Sequence, residues 1–332
     1  MGQASTRNQG RAALRLIVAT GIVLTGFLLL VSSGLKQFVS RNEGQRAGAA
    51  PAASPFDGAR AWADLERVVA IGPRPSGSPE LERLRGLIRA ELEKAGLDVR
   101  EQAFQADTPI GTVKMVNLWG VVEGSRPGVI ILGNHYETKY FPDFTFVGAN
   151  DAGSTTAWML EMARTTGPRR KGRSLWLAFF DGEEAFNKEW SREDSLYGSR
   201  AFVEHLRARH ELTDIHAMIN VDMIGDRYLG IRRDTGAPAW LTMAIWNRAR
   251  ELGYGAHFLN GTLEVEDDHI PFRLAGIPAV DIIDFEYGGS PYDHKNTWHT
   301  PNDTIDKVCQ ESLQVVGDVI YHALADIDSQ LN

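Results

Sequence analysis

Residues 179–186 read FFDGEEAF, and this stretch decides the prediction of the fold. The apolar run 175–180 is typical of a buried strand, and the Asp-Gly that follows it predicts a turn. An α/β sheet places its chemistry where such strands end. Neighbouring side chains on an extended or turning backbone point in different directions. Glu183 and Glu184 can therefore act separately, one as a metal ligand and the other as a base that faces the substrate.

Strand-like and helical patterns alternate along the rest of the chain. The strand-like runs are residues 98–105, 111–123, 128–135, 174–180, 217–223 and 278–284. The helical patterns are residues 57–71, 79–96, 153–166, 196–209, 237–252 and 311–328. This alternation predicts a single α/β domain with a mostly parallel, twisted mixed sheet flanked by helices. The first two strands have no helix between them, so we expect an antiparallel pair at the sheet edge.

Charge is distributed unevenly along the 332 residues. Residues 1–50 hold six basic residues against one acidic residue, whereas the remainder holds 29 basic and 42 acidic residues. An acidic body argues against nucleic acid as a partner. Hydrophobic residues make up 43% of the chain and charged residues 23%, as in ordinary globular domains.

Residues 16–35 contain no charged side chain, and a helix of about 20 residues can cross a bilayer. Three arginines precede this run, so we expect residues 1–15 to stay cytoplasmic and a single-pass signal anchor to follow. Residues 36–56 predict a flexible linker and residues 57–332 a catalytic domain. That domain would be exported to the periplasmic or extracellular side, or to a secretory-pathway lumen. A cleaved signal peptide is the rival interpretation, but its apolar region usually spans only about 7–15 residues.

Cysteine usage gives one further constraint. Cys309 is the only cysteine, so the exported domain has no intrachain disulfide and must be stabilised by its core.

Several residues that can bind a metal ion lie near the ends of predicted strands or in the loops between elements. They are His135, Asp151, Glu184, Asp222 and His299. Carboxylate oxygens and imidazole nitrogens without a thiolate fit a catalytic zinc ion that keeps an open coordination position. Each residue alone has a simpler interpretation, and Asp151 could cap the helix that follows it. Their joint placement favours a metal site.

Longer motifs give the chain a resemblance to a known family. They are FFDGEEAF at 179–186, WS at 190–191, DSLYGSR at 194–200, DDHIPF at 267–272 and WHT at 298–300. Over residues 57–328 the chain resembles the glutaminyl-peptide cyclotransferases, or glutaminyl cyclases, which have a zinc aminopeptidase-like fold. The resemblance implies this fold, an acyltransferase activity and a bound zinc ion.

The resemblance also implies a role for each matching residue. The implied zinc ligands are Asp151, Glu184 and His299. Glu183 would be the general acid and base, with Asp222 and Asp267 as a hydrogen-bonded acidic pair behind it. Trp190 and Trp298 would shape the pocket for the first side chain of the substrate.

The implied substrates are peptides and proteins with an N-terminal glutamine, with glutamate as a further candidate. The α-amine attacks the γ-carbonyl of the same residue, pyroglutamate forms and ammonia leaves. We expect a monomer that contacts the membrane through its N-terminal helix.

Other interpretations stay open. His135 could complete a second metal position, and the segment HTPNDT at 299–304 reads like a zinc aminopeptidase that hydrolyses N-terminal residues at two metal ions. In cyclases the same residues persist while one zinc ion is held, so we expect one. Glu137 and His294 stand where the family pattern has an aspartate and an aromatic residue. A noncatalytic binding ectodomain is the third alternative.

Overall fold

Residues 54–289 and 296–331, which the computed structural model describes, form seven β-strands and seven α-helices. The strands are β1 (Asp98–Thr108), β2 (Gly111–His135), β3 (Arg169–Phe180), β4 (Ile215–Asp222), β5 (Ile231–Asp234), β6 (Phe258–Leu263) and β7 (Ala279–Ile283). The helices are α1 (Gly58–Val69), α2 (Pro79–Lys94), α3 (Thr155–Thr166), α4 (Tyr197–Ala208), α5 (Ala239–Glu251), α6 (His269–Leu274) and α7 (Gln310–Gln330).

Strand β3 lies inside the main sheet because both of its edges pair with the long strand β2. On one side Leu118 lies opposite Phe179, and on the other side His135 lies opposite Phe180. The first half of β2 is antiparallel to β3 and the second half is parallel to it, as the direction of the register shows. All six residues of the run 175–180 are buried. The strand predicted from the apolar run is therefore confirmed as a central strand.

The remaining strands extend the sheet on both sides. β1 pairs antiparallel with the first half of β2, which confirms the predicted edge pair. β4 pairs parallel with the second half of β2, and β7 pairs parallel with β4. The predicted boundary between residues 123 and 128 is confirmed as the place where β2 reverses its direction relative to β3, with register shifts at Gly124 and Arg126. The short two-stranded sheet β5–β6 was not predicted.

Helices cover both faces of the sheet. Alternate residues of β3 point to opposite faces, as the pleat requires: Leu177 and Phe179 join one core cluster, and Ala178 and Phe180 join another. The first cluster includes α1, α2, α3, α5 and α7, and the second includes α4 and α6. These elements form one mixed α/β domain. Each of the six predicted helical segments corresponds to one of these helices, and the short helix α6 is the seventh in the described part of the chain.

Two helix starts follow directly from the sequence. Asp57 caps α1 by accepting hydrogen bonds from the backbone N–H groups of Ala59 and Arg60. Ser78 caps α2 in the same way, and a proline occupies the first turn of that helix. Such local signals explain why both helix starts could be predicted to within one residue.

Phe56, which the sequence assigned to the end of the linker, is packed into the domain. Its side chain is buried, its ring centroid lies 6.0 Å from that of Trp158, and its carbonyl accepts a hydrogen bond from Gln314. Across the residues described, no helix is both long and apolar enough to span a bilayer. The predicted anchor at 16–35 lies outside those residues.

Because Phe179 is fully buried in the central strand, Phe179→Ala should lower the free energy of unfolding by about 3–5 kcal/mol. The matched control is Ile110→Ala in the turn between β1 and β2, where the side chain is 62% exposed and the expected change is within about 0.5 kcal/mol. Urea denaturation followed by circular dichroism measures both. Equal losses in the two variants would contradict the assignment of β3 to the core.

Candidate active site

The predicted functional residues gather at the carboxyl ends of the sheet strands. His135 ends β2, Asp222 ends β4, and the pair Glu183–Glu184 lies just after β3. Parallel strands present these ends at one edge of a sheet. Asp151 reaches the same edge from a π-helical turn, Ala149–Ser154, in front of α3. The fold thus brings together residues that are far apart in sequence.

Asp151, Glu184 and His299 form a compact group of possible metal ligands. Their donor atoms all lie within 4.8 Å of one another. His299 Nε2 lies 2.9 Å from Glu184 Oε1 and 3.4 Å from Asp151 Oδ2. Asp151 Oδ2 is buried and has no hydrogen-bond partner in the described part of the chain. Two carboxylates and one imidazole, with one oxygen left without a partner, fit a zinc ion that keeps an open position.

His135 forms a second group with Asp151 and Asp222. Its Nε2 lies 3.1 Å from Asp151 Oδ1 and 3.3 Å from Asp222 Oδ1. Burial opposes a charge on the ring, but the carboxylates of Asp222 and Glu137 raise the pKa of His135 well above its usual value. Asp151 therefore faces one group with each carboxylate oxygen, and its side chain does not cap α3.

Glu137 holds the turn that carries the two glutamates. Its Oε1 accepts hydrogen bonds from the backbone N–H groups of Glu183 at 2.7 Å and Glu184 at 3.1 Å, and lies 3.5 Å from His135 Nδ1. Its side chain is fully buried. One carboxylate thus orients the turn and the adjacent imidazole. The sequence analysis noted Glu137 only as a departure, although its position two residues after His135 was an available signal.

Asp303 holds the loop that carries Asp151. Its carboxylate accepts hydrogen bonds from the backbone N–H groups of Asn150 at 2.8 Å and Asp151 at 3.1 Å, and from the hydroxyl of Tyr287 at 3.0 Å. Burial, together with the nearby Asp151 carboxylate, raises the pKa of Asp303 to about 7. Sequence analysis assigned Asp303 no role; its place four residues after His299 was the only hint.

Further carboxylates face the cleft beside the metal ligands. Glu183, Asp222 and Asp267 line this cleft. Burial, and then the carboxylates of Asp267 and Glu184, raise the pKa of Glu183 well above its usual value. Burial, followed by the carboxylates of Asp281 and Asp222, also raises the pKa of Asp267 well above its usual value. Carboxyl groups this close cannot all ionise at low cost, so some of them keep a proton near neutral pH.

Aromatic side chains form part of the cleft wall. Trp190 and Trp298, both predicted as pocket residues, line the cleft with Phe285. The ring of Trp298 stacks on His299 with centroids 3.9 Å apart and contacts Phe285 at 4.8 Å. Trp298 therefore covers one face of the His299 imidazole. His294 lies outside the described residues.

The segment after Asp267 lies behind the site. Asp268 precedes α6, and its side chain makes no capping hydrogen bond. His269 is fully buried, with ring nitrogens 3.7 Å from Asp234 Oδ2 and 3.8 Å from Asp281 Oδ2. These groups support the wall from which Asp267 faces the cleft.

Comparisons with known proteins agree with this geometry. The sequence profile of peptidase family M28 matches residues 117–324, a range that contains every site residue described above. The chain is similar to a glutaminyl-peptide cyclotransferase from Gloydius blomhoffii, with 30% identity over 298 residues that cover 77% of this chain and 78% of the relative.

Solved structures show the same similarity. A glutaminyl cyclase from an Acidobacteriales bacterium superposes with a TM-score of 0.78 at 37% identity, over 86% of this chain and 99% of that structure. A Zn-dependent exopeptidase from Parabacteroides distasonis superposes with a TM-score of 0.73 at 24% identity, over 81% of this chain and 98% of that structure. At that identity the second similarity shows the fold alone.

We expect one zinc ion per chain, held by Asp151, Glu184 and His299. Glu184→Ala and His299→Ala should each lose most of the bound zinc on dialysis, because a missing ligand weakens the site. The control His135→Ala should keep about one equivalent. Plasma mass spectrometry of the dialysed proteins measures the content. Two equivalents in the wild type that fall to one in His135→Ala would contradict the single-ion site.

Proposed function

We propose that this chain, which belongs to peptidase family M28 and within it to the glutaminyl-peptide cyclotransferases, converts the N-terminal glutamine of peptides and proteins to pyroglutamate with release of ammonia. The pair Glu183–Glu184 carries the proposal. Glu184 joins Asp151 and His299 in one group, whereas Glu183 lies in the same cleft beside the carboxylate of Asp267. The proposed metal ligand and the proposed base are therefore neighbours in the chain, and their side chains point in different directions.

Asp151, Glu184 and His299 would hold the zinc ion, which when bound supplies a Lewis acid for the γ-carbonyl oxygen of the substrate. Lys139 supports the ligand Glu184. Its ammonium is buried, lies 3.5 Å from Glu184 Oε2 and donates a hydrogen bond to the carbonyl of Ala185 at 2.7 Å. These two contacts fix the ligand carboxylate from the side of the protein.

Glu183 would move the proton. The raised pKa of Glu183 makes its carboxylate a stronger base than an exposed glutamate. It would accept a proton from the attacking α-amine as the carbon–nitrogen bond of the ring forms. It would then return the proton to the side-chain nitrogen, which leaves as ammonia when its bond to the side-chain carbonyl carbon breaks. Atoms and charge balance with Glu183 restored at the end.

Asp222 and Asp267 would hold a shared proton behind the reacting groups. The pKa values of both carboxyls are raised, first by burial. A protonated carboxyl can donate a hydrogen bond, whereas an ionised one only accepts. A protonated carboxyl in the cleft could donate a hydrogen bond to the lone pair of a substrate nitrogen and so hold that nitrogen in place during ring closure.

The aromatic wall would select cyclisation over hydrolysis. Because the substrate carries its own nucleophile, binding the curled conformer provides most of the proximity that the reaction needs. Trp190 and Trp298 would press this conformer against the ligands and keep water away from the γ-carbonyl.

Hydrolysis of N-terminal residues is the second candidate activity. The group of His135, Asp151 and Asp222 favours it, because these are the ligands that a two-metal aminopeptidase would need. The similarity to glutaminyl cyclases at up to 37% identity supports cyclisation as the main activity.

We also propose that residues 16–35 anchor the enzyme in a membrane as a single span, with the catalytic domain on the exported side. The uncharged run and the three arginines before it, Arg7, Arg11 and Arg15, support this proposal. The acidic catalytic domain is compatible with an exported enzyme that acts on peptide N-termini.

Glu183→Gln should lower kcat for a glutamine-initiated peptide by about 10²–10⁴-fold, because the general base is lost. The zinc content should stay at the wild-type value, since Glu183 is not a proposed ligand. Ammonia release measured by a coupled assay, together with the zinc content, checks both points. Wild-type turnover by this variant would assign the base to another residue.

Asp267→Asn should retain more activity than Asp267→Ala. An amide can donate the hydrogen bond that we assign to the protonated carboxyl, whereas a methyl group cannot. Steady-state kcat measured for the two purified variants tests this order. Equal kcat values would argue against a donor role for Asp267.

The full-length chain expressed in bacteria should sediment with membranes and resist extraction by high salt or carbonate, because a spanning helix is held by hydrophobic burial. A chain that begins at residue 54 should sediment with the soluble fraction. If the full-length chain instead yields a shorter, soluble protein that contains the catalytic domain, the result would support a cleaved signal peptide.

A further inference from the structure

A groove of about 670 Å³ opens beside the reaction cleft. Ile283 and Phe285 line both the groove and the cleft, so the two spaces are adjacent. Three leucines extend the apolar surface of the groove: Leu229, Leu259 and Leu263. Its volume falls within the range of about 300–1,000 Å³ that is typical of ligand sites, which is more than one N-terminal residue needs.

Acidic side chains dominate the charge of this groove. Asp226, Asp284 and Glu286 line it, and Arg232 is the basic residue among the described lining residues. Arg232 is already paired, with its Nη2 2.6 Å from Glu286 Oε2. A ligand in the groove therefore meets more carboxyl groups than basic groups beside an apolar surface, with Asp226 and Asp284 buried in the groove wall and Glu286 on its exposed side.

The opposite side of the cleft is tied together by an ion pair. Arg192 Nε donates to both carboxylate oxygens of Glu266, at 2.9 Å and 3.1 Å. This pair joins the loop of Trp190 to the segment before Asp267. The pair therefore links these two segments, whereas Phe285 lines both the cleft and the groove.

We propose that the groove binds the residues that follow the N-terminal glutamine, and that it prefers peptides with a lysine or arginine there over peptides with an acidic residue. The inference rests on the proposed cyclisation and names its substrate class. The apolar surface takes the backbone and aliphatic side chains, and the carboxylates attract the basic group. Free energies of exposed charge pairs correspond to about two- to fivefold in kcat/KM for each pair.

The test compares hexapeptides that begin with glutamine and carry one lysine, alanine or glutamate at each of positions two to five. Gln-Ala-amide, which is too short to fill the groove, is the reference substrate. We expect lysine to raise kcat/KM over alanine by about two- to fivefold at one or more positions, mainly through KM, and glutamate to lower it. The preference should fall at about 1 M salt, where exposed charges are screened.

Two variants are expected to change the preference for lysine in opposite directions. Glu286→Gln frees Arg232 inside the groove and should weaken or reverse the preference for lysine. Arg232→Gln frees the Glu286 carboxylate and should strengthen it. The control Glu204→Gln, an exposed residue of α4 that lies outside the groove, should keep the wild-type preference.

The possible failures are distinguishable. Turnover of Gln-Ala-amide with equal kcat/KM for the lysine, alanine and glutamate peptides would overturn the groove proposal and leave the proposed function intact. Absence of turnover for every substrate, including Gln-Ala-amide, would overturn both. A preference for lysine that Glu286→Gln and Arg232→Gln leave unchanged would place the recognition elsewhere and overturn the groove proposal.

Discussion

The site depends on one carboxylate that accepts two backbone hydrogen bonds. Glu137 binds the N–H groups of Glu183 and Glu184, and so fixes a turn in which adjacent side chains point to different places. Strand β3 delivers this turn to the sheet edge because its apolar residues are buried on both faces. Without that constraint, the metal ligand and the base could not occupy fixed positions on neighbouring residues. The geometry of the turn therefore links the core of the fold to its chemistry.

Burial of many acids in one cleft is costly, and the surroundings offset the cost in two ways. Around Asp151, burial raises the pKa, but the nearby imidazoles of His135 and His299 outweigh that effect and lower the pKa below its usual value. Around Asp267, burial and neighbouring carboxylates raise the pKa instead. The pKa of Asp151, a proposed ligand, is thus shifted downwards and that of Asp267 upwards within one cleft. This separation of roles is what a metal-assisted proton transfer requires.

Sequence patterns predicted the central strands, most helices and the candidate ligands, because apolar periodicity and strand-end chemistry are local signals. The short sheet β5–β6 lacks a long periodic run and was missed. Glu137 and Asp303 were not assigned roles, because their function is to accept backbone hydrogen bonds from distant segments, and sequence spacing does not report such contacts. The placement of the two halves of β2 on opposite edges of β3 is tertiary information, which the sequence does not report.

The most direct test of the account is the product formed from a glutamine-initiated peptide by the purified wild-type protein, with and without a chelator, beside leucine amide. The account predicts loss of one ammonia from the peptide, detected by mass and by ammonia release, which the chelator abolishes and zinc restores. It also predicts little release of leucine. Hydrolysis of leucine amide without ring closure of the peptide would contradict the account and favour the aminopeptidase.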